Sequence, residues 1–220
     1  MPHGNGEGAA SLSADRDRAL SLVPVAQATE ALLDRYVALL MQRQGRVNLI
    51  AASTLPQVWI RHVADSLQLL TLAPDARHWV DLGSGGGFPG IPIACALSGT
   101  PGAAVHLVES IGKKAAFLQE TVRMLGVPAL VHHQRIADFV AACDETPDIV
   151  TARALAPLTG LLAEAEPLLK KGARGLFLKG RNVEAELTEA SSHWDMELTL
   201  VPSRTDADGR IVVVTRATRR

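Results

Sequence analysis

The sequence predicts an α/β fold: a doubly wound, mostly parallel seven-stranded sheet with an antiparallel last strand, preceded by an N-terminal helical cap. Three observations predict it. Seven short runs rich in Val, Ile and Leu follow Pro74, and helical patterns separate most of them. The chain has 220 residues and is 47% hydrophobic, enough to bury the core such a sheet needs. Only "RTDADG" joins the last two runs, a hairpin-length connection too short for a parallel crossover.

The elements follow in order. Residues 1–19 are rich in Gly, Ser and Ala, lack an apolar signal core, and read as a mobile tail. The helical cap is expected over 20–73. Within 27–41, Ala31, Leu32, Leu39 and Leu40, with Tyr36 and Val37, recur at helical spacing. Gly45 interrupts the pattern, and "STLPQVWIRHVADSLQLLTL" restarts it, with Ser53 or Thr54 as N-cap and Pro56 in the first turn. The sheet domain takes 74–220, and cap and core are expected to form one folded unit. Its strands read "HWVDLG", "AVHLVE", "ALVHHQRI", "PDIVTARA", "RGLFLKG", "MELTLVPS" and "RIVVVTRA", with helices over 91–97, 113–125, 158–169 and 183–194.

Composition narrows the function. A formal net charge of −1 gives no whole-chain attraction to nucleic acid or membrane, so RNA contact has to come from local charge. No apolar run reaches the roughly 18 residues that span a bilayer, and no membrane partner is expected. Cys95 and Cys143 lie far apart in no metal or redox motif, which suits a reducing, cytoplasmic setting. His132 and His133 are adjacent on a strand and point to opposite faces, so no metal is expected there.

Chemistry concentrates in "VDLGSGGGFPGIPIA", a glycine run between the first strand and a helix. There a ligand can approach backbone and helix N-terminal N–H groups closely. Two templates fit. Asp81, Gly83, Gly85 and Gly87 have the acidic-x-Gly-x-Gly-x-Gly spacing of S-adenosylmethionine-dependent methyltransferases, whereas Gly85, Gly87 and Gly90 have the dinucleotide spacing. Phe88 and Pro89 favour the first, because proline offers a pyrophosphate no N–H. Asp81 is placed to address the amino-acid part of a ligand, Phe88 gives it an apolar surface, and Glu109 closes the next strand where ribose hydroxyls would be bound.

Further blocks occur in order: "NLI" (48–50), "RHVADSLQL" (61–69), "ESIGKKAAFLQ" (109–119), "TARALAPL" (151–158) and "LKG" (178–180). With the glycine run they resemble the bacterial 16S ribosomal RNA methyltransferase G family, also called glucose-inhibited division protein B. The resemblance covers roughly residues 35–180. It implies a Rossmann-like class I methyltransferase fold, the cofactor S-adenosylmethionine, and methylation of guanine N7 in the decoding-region loop of 16S rRNA. The implied partner is that RNA within the small ribosomal subunit or its precursor. Gly83 and Phe88 match the family's cofactor contacts, Ile136 and Ala137 match the pair beside the adenine, and Arg153 matches another. Two departures stand out: Ala137 replaces an acid common in relatives, and Glu109 replaces an aspartate.

The residue types agree with that chemistry. Guanine N7 carries an in-plane lone pair and no proton, so transfer to it needs placement and no base. The place after the fourth strand lacks the Asn/Asp-Pro-Pro-aromatic turn of amine methyltransferases, and neither cysteine suits nucleophilic attack on a pyrimidine. Asn48, His62 and Arg153 are candidates for positioning the base. Arg135, Lys179 and Arg210, at strand ends or loops near the ligand edge, are expected to contact RNA. Two alternatives stay open: an NAD-dependent oxidoreductase using the second glycine register, and a catalytically silent RNA-binding assembly factor.

Overall fold

The structure, a computed structural model, describes residues 5–220, with side chains from Ser11 onward. Strands β1 (His78–Leu82), β2 (Ala104–Val108), β3 (Ala129–His132), β4 (Ile149–Arg153), β5 (Arg174–Lys179), β6 (Trp194–Pro202) and β7 (Arg210–Arg219) form one sheet in the order β3-β2-β1-β4-β5-β7-β6. The first five pair in parallel, and β7 runs antiparallel to both β5 and β6. The short 203–209 connection makes the expected hairpin, and β7 slides in between β5 and β6.

The cap begins earlier than the sequence suggests. Helix α1 (Asn5–Leu22) occupies most of the stretch read as a mobile tail, so the 19/20 boundary falls inside a helix; residues 1–4 lie outside the described residues. Few apolar residues mark it: Ala19 is buried and Leu12 and Leu22 pack on the core, and polar contacts tie down the same side. Asp15 accepts the Trp59 N–H at 2.8 Å, and Arg16 bridges to Asp34 at 2.7 Å and Glu30 at 3.0 Å. Helix α2 (Gln27–Gln44) follows its predicted pattern, burying Leu33, Tyr36, Val37, Leu39 and Leu40. The next segment is no single helix. It passes from a 3₁₀ turn (Ala52–Gln57) through a π-helical stretch (Trp59–Ala64) and one α-turn, α3 (Asp65–Leu67), to a second 3₁₀ turn (Gln68–Leu72). Neither Ser53 nor Thr54 caps it; the Thr54 hydroxyl donates to the Ala51 carbonyl.

Helices α4 (Gly90–Ala96), α5 (Gly112–Leu125), α7 (Leu158–Lys170) and α8 (Val183–Ser191) stand where periodicity places them, except that α8 ends before the expected Trp194, which opens β6; α6 (Ile136–Ala142), about two turns long, is too short for the pattern to show. Alternate strand residues feed two cores. Trp79, Val105 and Leu107 face α4, α5 and the cap, whereas Val80, Leu82 and Val108 face α6, α7 and α8. Cap and sheet therefore share one apolar cluster.

Tyr36 joins the cap to the glycine turn. Its buried hydroxyl donates to the Gly86 carbonyl at 2.6 Å, and burial raises its pKa well above the ordinary value, keeping the donor proton in place. Tyr36→Phe leaves that carbonyl without its partner and is expected to lower unfolding free energy by about 1–3 kcal/mol in urea titrations. A variant as stable as the parent removes this contact from the cap–core link.

Candidate active site

After Leu82 the chain turns from β1 into α4. Gly83, Gly85 and Gly87 adopt φ values of +70°, +56° and +102°, the left-handed region that L side chains rarely enter. Two other glycines serve close approach. A Cβ on Gly86 would lie 2.9 Å from the Leu49 carbonyl oxygen, and one on Gly90 would overlap the Leu107 side chain and come 2.8 Å from Asp81 Oδ2. The "NLI" block of the cap is thus pressed directly onto the turn.

Two carboxylates support the turn from below. Asp81 is fully buried under the start of α4; its Oδ2 accepts the Gly90 N–H at 3.1 Å, and its Oδ1 has no hydrogen-bond partner. Burial pushes this carboxyl up to about 7, the Ser84 hydroxyl and the Gly90 N–H oppose the rise, and the nearby Glu109 adds a little to it. Glu109, 6% exposed, is pinned through both oxygens: Oε2 accepts the Gly85 N–H at 2.9 Å and Oε1 the Ile111 N–H at 2.7 Å. Each oxygen keeps a second lone pair. A buried orphan oxygen beside a second carboxylate is a place for a donor of positive charge, such as an ammonium.

Phe88 lies between the turn and the cap, its ring centroid 5.2 Å from that of Tyr36 and 4.8 Å from that of His62. His62 is buried, and burial together with the neighbouring Arg153 and Arg61 charges drives its pKa down to about 3. Its Nδ1 meets an Arg153 guanidinium N–H and must accept, so Nε2 carries the proton and donates to the Thr54 hydroxyl at 2.8 Å. The ring is neutral with both nitrogens engaged. Arg153, at the end of β4, also donates to the Arg61 carbonyl at 2.7 Å and to Asp65 Oδ2 at 3.2 Å. Asp65 in turn accepts from Thr205 of the β6–β7 hairpin at 2.7 Å. Burial pushes the Asp65 carboxyl up and the Arg153 guanidinium down, and their mutual attraction opposes both shifts.

Beside this network a cavity of about 400 Å³ opens at the ends of β4, β5 and β7. Its walls include Arg61, Arg153, Leu155, Lys179, Glu186 and Arg210. Strand register sets Lys179 opposite Arg210. The two differ in freedom. Arg210 is partly exposed and donates to the Ala207 and Gly209 carbonyls, whereas the Lys179 side chain is only 9% exposed and pairs with Glu186 at 2.7 Å.

The remaining sequence candidates fall around this centre. Asn48 is exposed, next to the Leu49 that touches Gly86, and its Oδ1 lies 3.4 Å from Gln44 Nε2. Arg135 is exposed at the N-cap of α6, and Ile136 and Ala137 form that helix's first turn. Several other cations are engaged within the fold: Arg43 pairs with Glu120 at 2.5 Å, Arg35 donates to the Met124 carbonyl, and Arg216 pairs with Asp195 and Glu197. His132 hydrogen-bonds His106 across the strands at 2.9 Å. Among the described residues no group of three or more His, Cys, Asp or Glu is arranged to hold a metal, and no helix is long and apolar enough to cross a membrane. Sequence reasoning missed Ile111, 52% exposed beside Glu109, and Glu186, whose role depends on contacts distant in sequence.

Comparison with known proteins agrees with this layout. A family model described as rRNA small subunit methyltransferase G matches residues 29–209. A Bradyrhizobium protein (strain BTAi1) named ribosomal RNA small subunit methyltransferase G is 58% identical over 203 residues, covering 92% of this chain and 91% of its own. A protein of the same name from Nitrobacter hamburgensis is 57% identical over 208 residues, covering 94% and 80%. Among solved structures, the O-methyltransferase TomG from Streptomyces achromogenes superposes with a TM-score of 0.59 at 17% identity over 94% of this chain and 98% of its own. The O-methyltransferase from Bacillus cereus gives 0.57 at 16% over 95% and 100%. These two likenesses are of fold.

Proposed function

The chain belongs to the rRNA small subunit methyltransferase G family, and we propose that it transfers a methyl group from S-adenosylmethionine to N7 of a guanine in the decoding-region loop of 16S rRNA. Membership of a methyltransferase family displaces the oxidoreductase alternative.

The orphan Oδ1 of Asp81 carries this reading. S-adenosylmethionine brings an ammonium and supplies an electrophilic methyl group on sulfur. Asp81 fits the ammonium, Glu109 keeps lone pairs for ribose hydroxyls, and Gly83, Gly85 and Gly87 let the ligand lie on backbone. Phe88 and the exposed Ile111 offer apolar surface, with Ile136 and Ala137 on the adenine side.

Guanine enters through the cavity beside Arg153, in this reading, with its N7 turned to the methyl group. His62 has no proton to exchange near neutrality, which suits an acceptor that has none to lose. His62 and Arg153 act by holding the cap against Phe88, and exposed Asn48 is the group free to meet the base. Arg135 and Arg210 face the RNA phosphates. Small ribosomal subunits lacking the modification, incubated with the protein and methyl-labelled S-adenosylmethionine, are expected to take up label at one guanine in the decoding-region loop. Borohydride reduction and aniline scission, which cut at 7-methylguanine, read the position. Label on another base, or uptake by no RNA at all, refutes the proposal; the second outcome would favour the assembly-factor alternative.

A further inference from the structure

We propose that Lys179 and Glu186 are positioning residues: their ion pair fastens the 154–157 segment that walls the acceptor cavity, instead of leaving Lys179 to bind an RNA phosphate. The inference rests on the methyl-transfer reading above and concerns which residues set its geometry. The segment needs fastening. Ala154 has φ +50°, the one non-glycine left-handed residue among those described, and such a conformation persists only when its surroundings hold it. Leu155 then reaches across to the glycine turn, its Cδ1 lying 2.6 Å from where a Gly83 Cβ would be. Leu155 thus sits between the ligand turn on one side and the cavity on the other.

Both ends of the segment are tied. Arg153, just before it, is held by the cap. At the other end, Glu186 Oε2 takes the Leu158 N–H and the Lys179 ammonium, each at 2.7 Å. Lys179 also donates to the Ala156 carbonyl at 2.6 Å. One carboxylate oxygen on α8 and one ammonium on β5 therefore hold the backbone on either side of Pro157. With its side chain 9% exposed and its charge matched, Lys179 is poorly placed to reach a phosphate.

Two variants separate the roles. Glu186→Gln keeps an oxygen for Leu158 but removes the charge facing Lys179, and Lys179→Met fills the space without a donor. Each is assayed for turnover at saturating RNA, for RNA affinity by filter binding and for folding by thermal midpoint. The clamp predicts kcat lower by about 10- to 100-fold in both, the scale expected of a small misplacement near reacting atoms, with RNA Kd within about threefold of the parent. It also predicts that the double variant is no slower than the slower single one, as for residues acting as a unit. A simple phosphate contact predicts the opposite. Lys179→Met would weaken RNA binding at unchanged kcat, and Glu186→Gln, by shedding a negative charge, would tighten it. Either of those results, or additive losses in the double variant, overturns the clamp. If the parent methylates no RNA, the functional reading fails first; a parent that methylates beside variants of equal rate sinks the clamp alone.

Discussion

Affinity for S-adenosylhomocysteine is expected to weaken about tenfold for each pH unit below 7 and to level off above it. The cause is Asp81. Its carboxyl, pushed up to about 7 by burial, is protonated in the free protein on the acid side, whereas the ligand's ammonium requires the ionised form. Binding therefore expels a proton below pH 7 and none above. Calorimetric titration from about pH 5.5 to about pH 8.5 measures it, and repeating the titration in buffers of different ionisation enthalpy counts the proton. Asp81→Asn keeps an oxygen for the Gly90 N–H but no charge, so its Kd should be flat with pH. At pH 8 it should be weaker by about 10- to 150-fold, the worth of a charge-assisted hydrogen bond. A parent whose Kd does not change over this range removes Asp81 from the ligand site.

The same residue predicts an opposite effect on the free protein. Between an unfolded pKa near 4 and a folded one of about 7, the native state holds a proton that the unfolded chain has lost. Stability from this group is therefore full below pH 4, falls as pH rises through that window, and is flat above it. The shift corresponds to about 4 kcal/mol at most. Ligand-free Asp81→Asn should melt above the parent at pH 8 and level with it at pH 4. On the proposed reading, Asp81 would sacrifice stability for a charge that its ligand uses, the usual trade between function and folding.

How much of this was legible beforehand depended on the range of the interactions. The central strands β1, β4 and β5 showed because they are buried on both faces and read as apolar runs, and the antiparallel end showed because six residues cannot make a crossover. Asp81, Gly83, Gly85 and Gly87 were readable because one short turn imposes their spacing. The rest needs distant partners. Helix α1 hid because only Leu12, Ala19 and Leu22 mark its packed face, and Asp15 and Arg16 on the same side attach it to Trp59, Glu30 and Asp34. The segment after Ala52 has the periodicity of a helix, yet packing of His62 on Phe88 and of Leu49 on Gly86 goes with a succession of 3₁₀, π and α turns. The Lys179–Glu186 ion pair did not show because a strand residue and a residue of the following helix cannot be matched by pattern. Arg153 is the sharper case. Its place at a strand end was evident, but its three cap contacts span about ninety residues of sequence.

Those contacts make the second large prediction. Arg153→Met strands Asp65, whose side chain is 14% exposed, with hydroxyl and amide donors but no counter-charge, and deprives His62 Nδ1 of its donor. Breaking a buried pair from one side costs about 3–5 kcal/mol, so the variant should lose that much in chemical denaturation and melt well below the parent. Asp65→Leu alone should fare as badly, leaving the guanidinium uncompensated. Replacing both at once is different, because exchange of a buried ion pair for apolar groups of similar size is often close to neutral. The Asp65→Leu/Arg153→Met double variant should therefore regain most of the stability. It should not regain methyl transfer, since the guanidinium that ties β4 to the π-helical stretch under Phe88 is still missing. A double variant that is both stable and active would reduce the network to a matter of folding. Single variants within about 1 kcal/mol of the parent would show that the pair behaves as a surface bridge despite its burial.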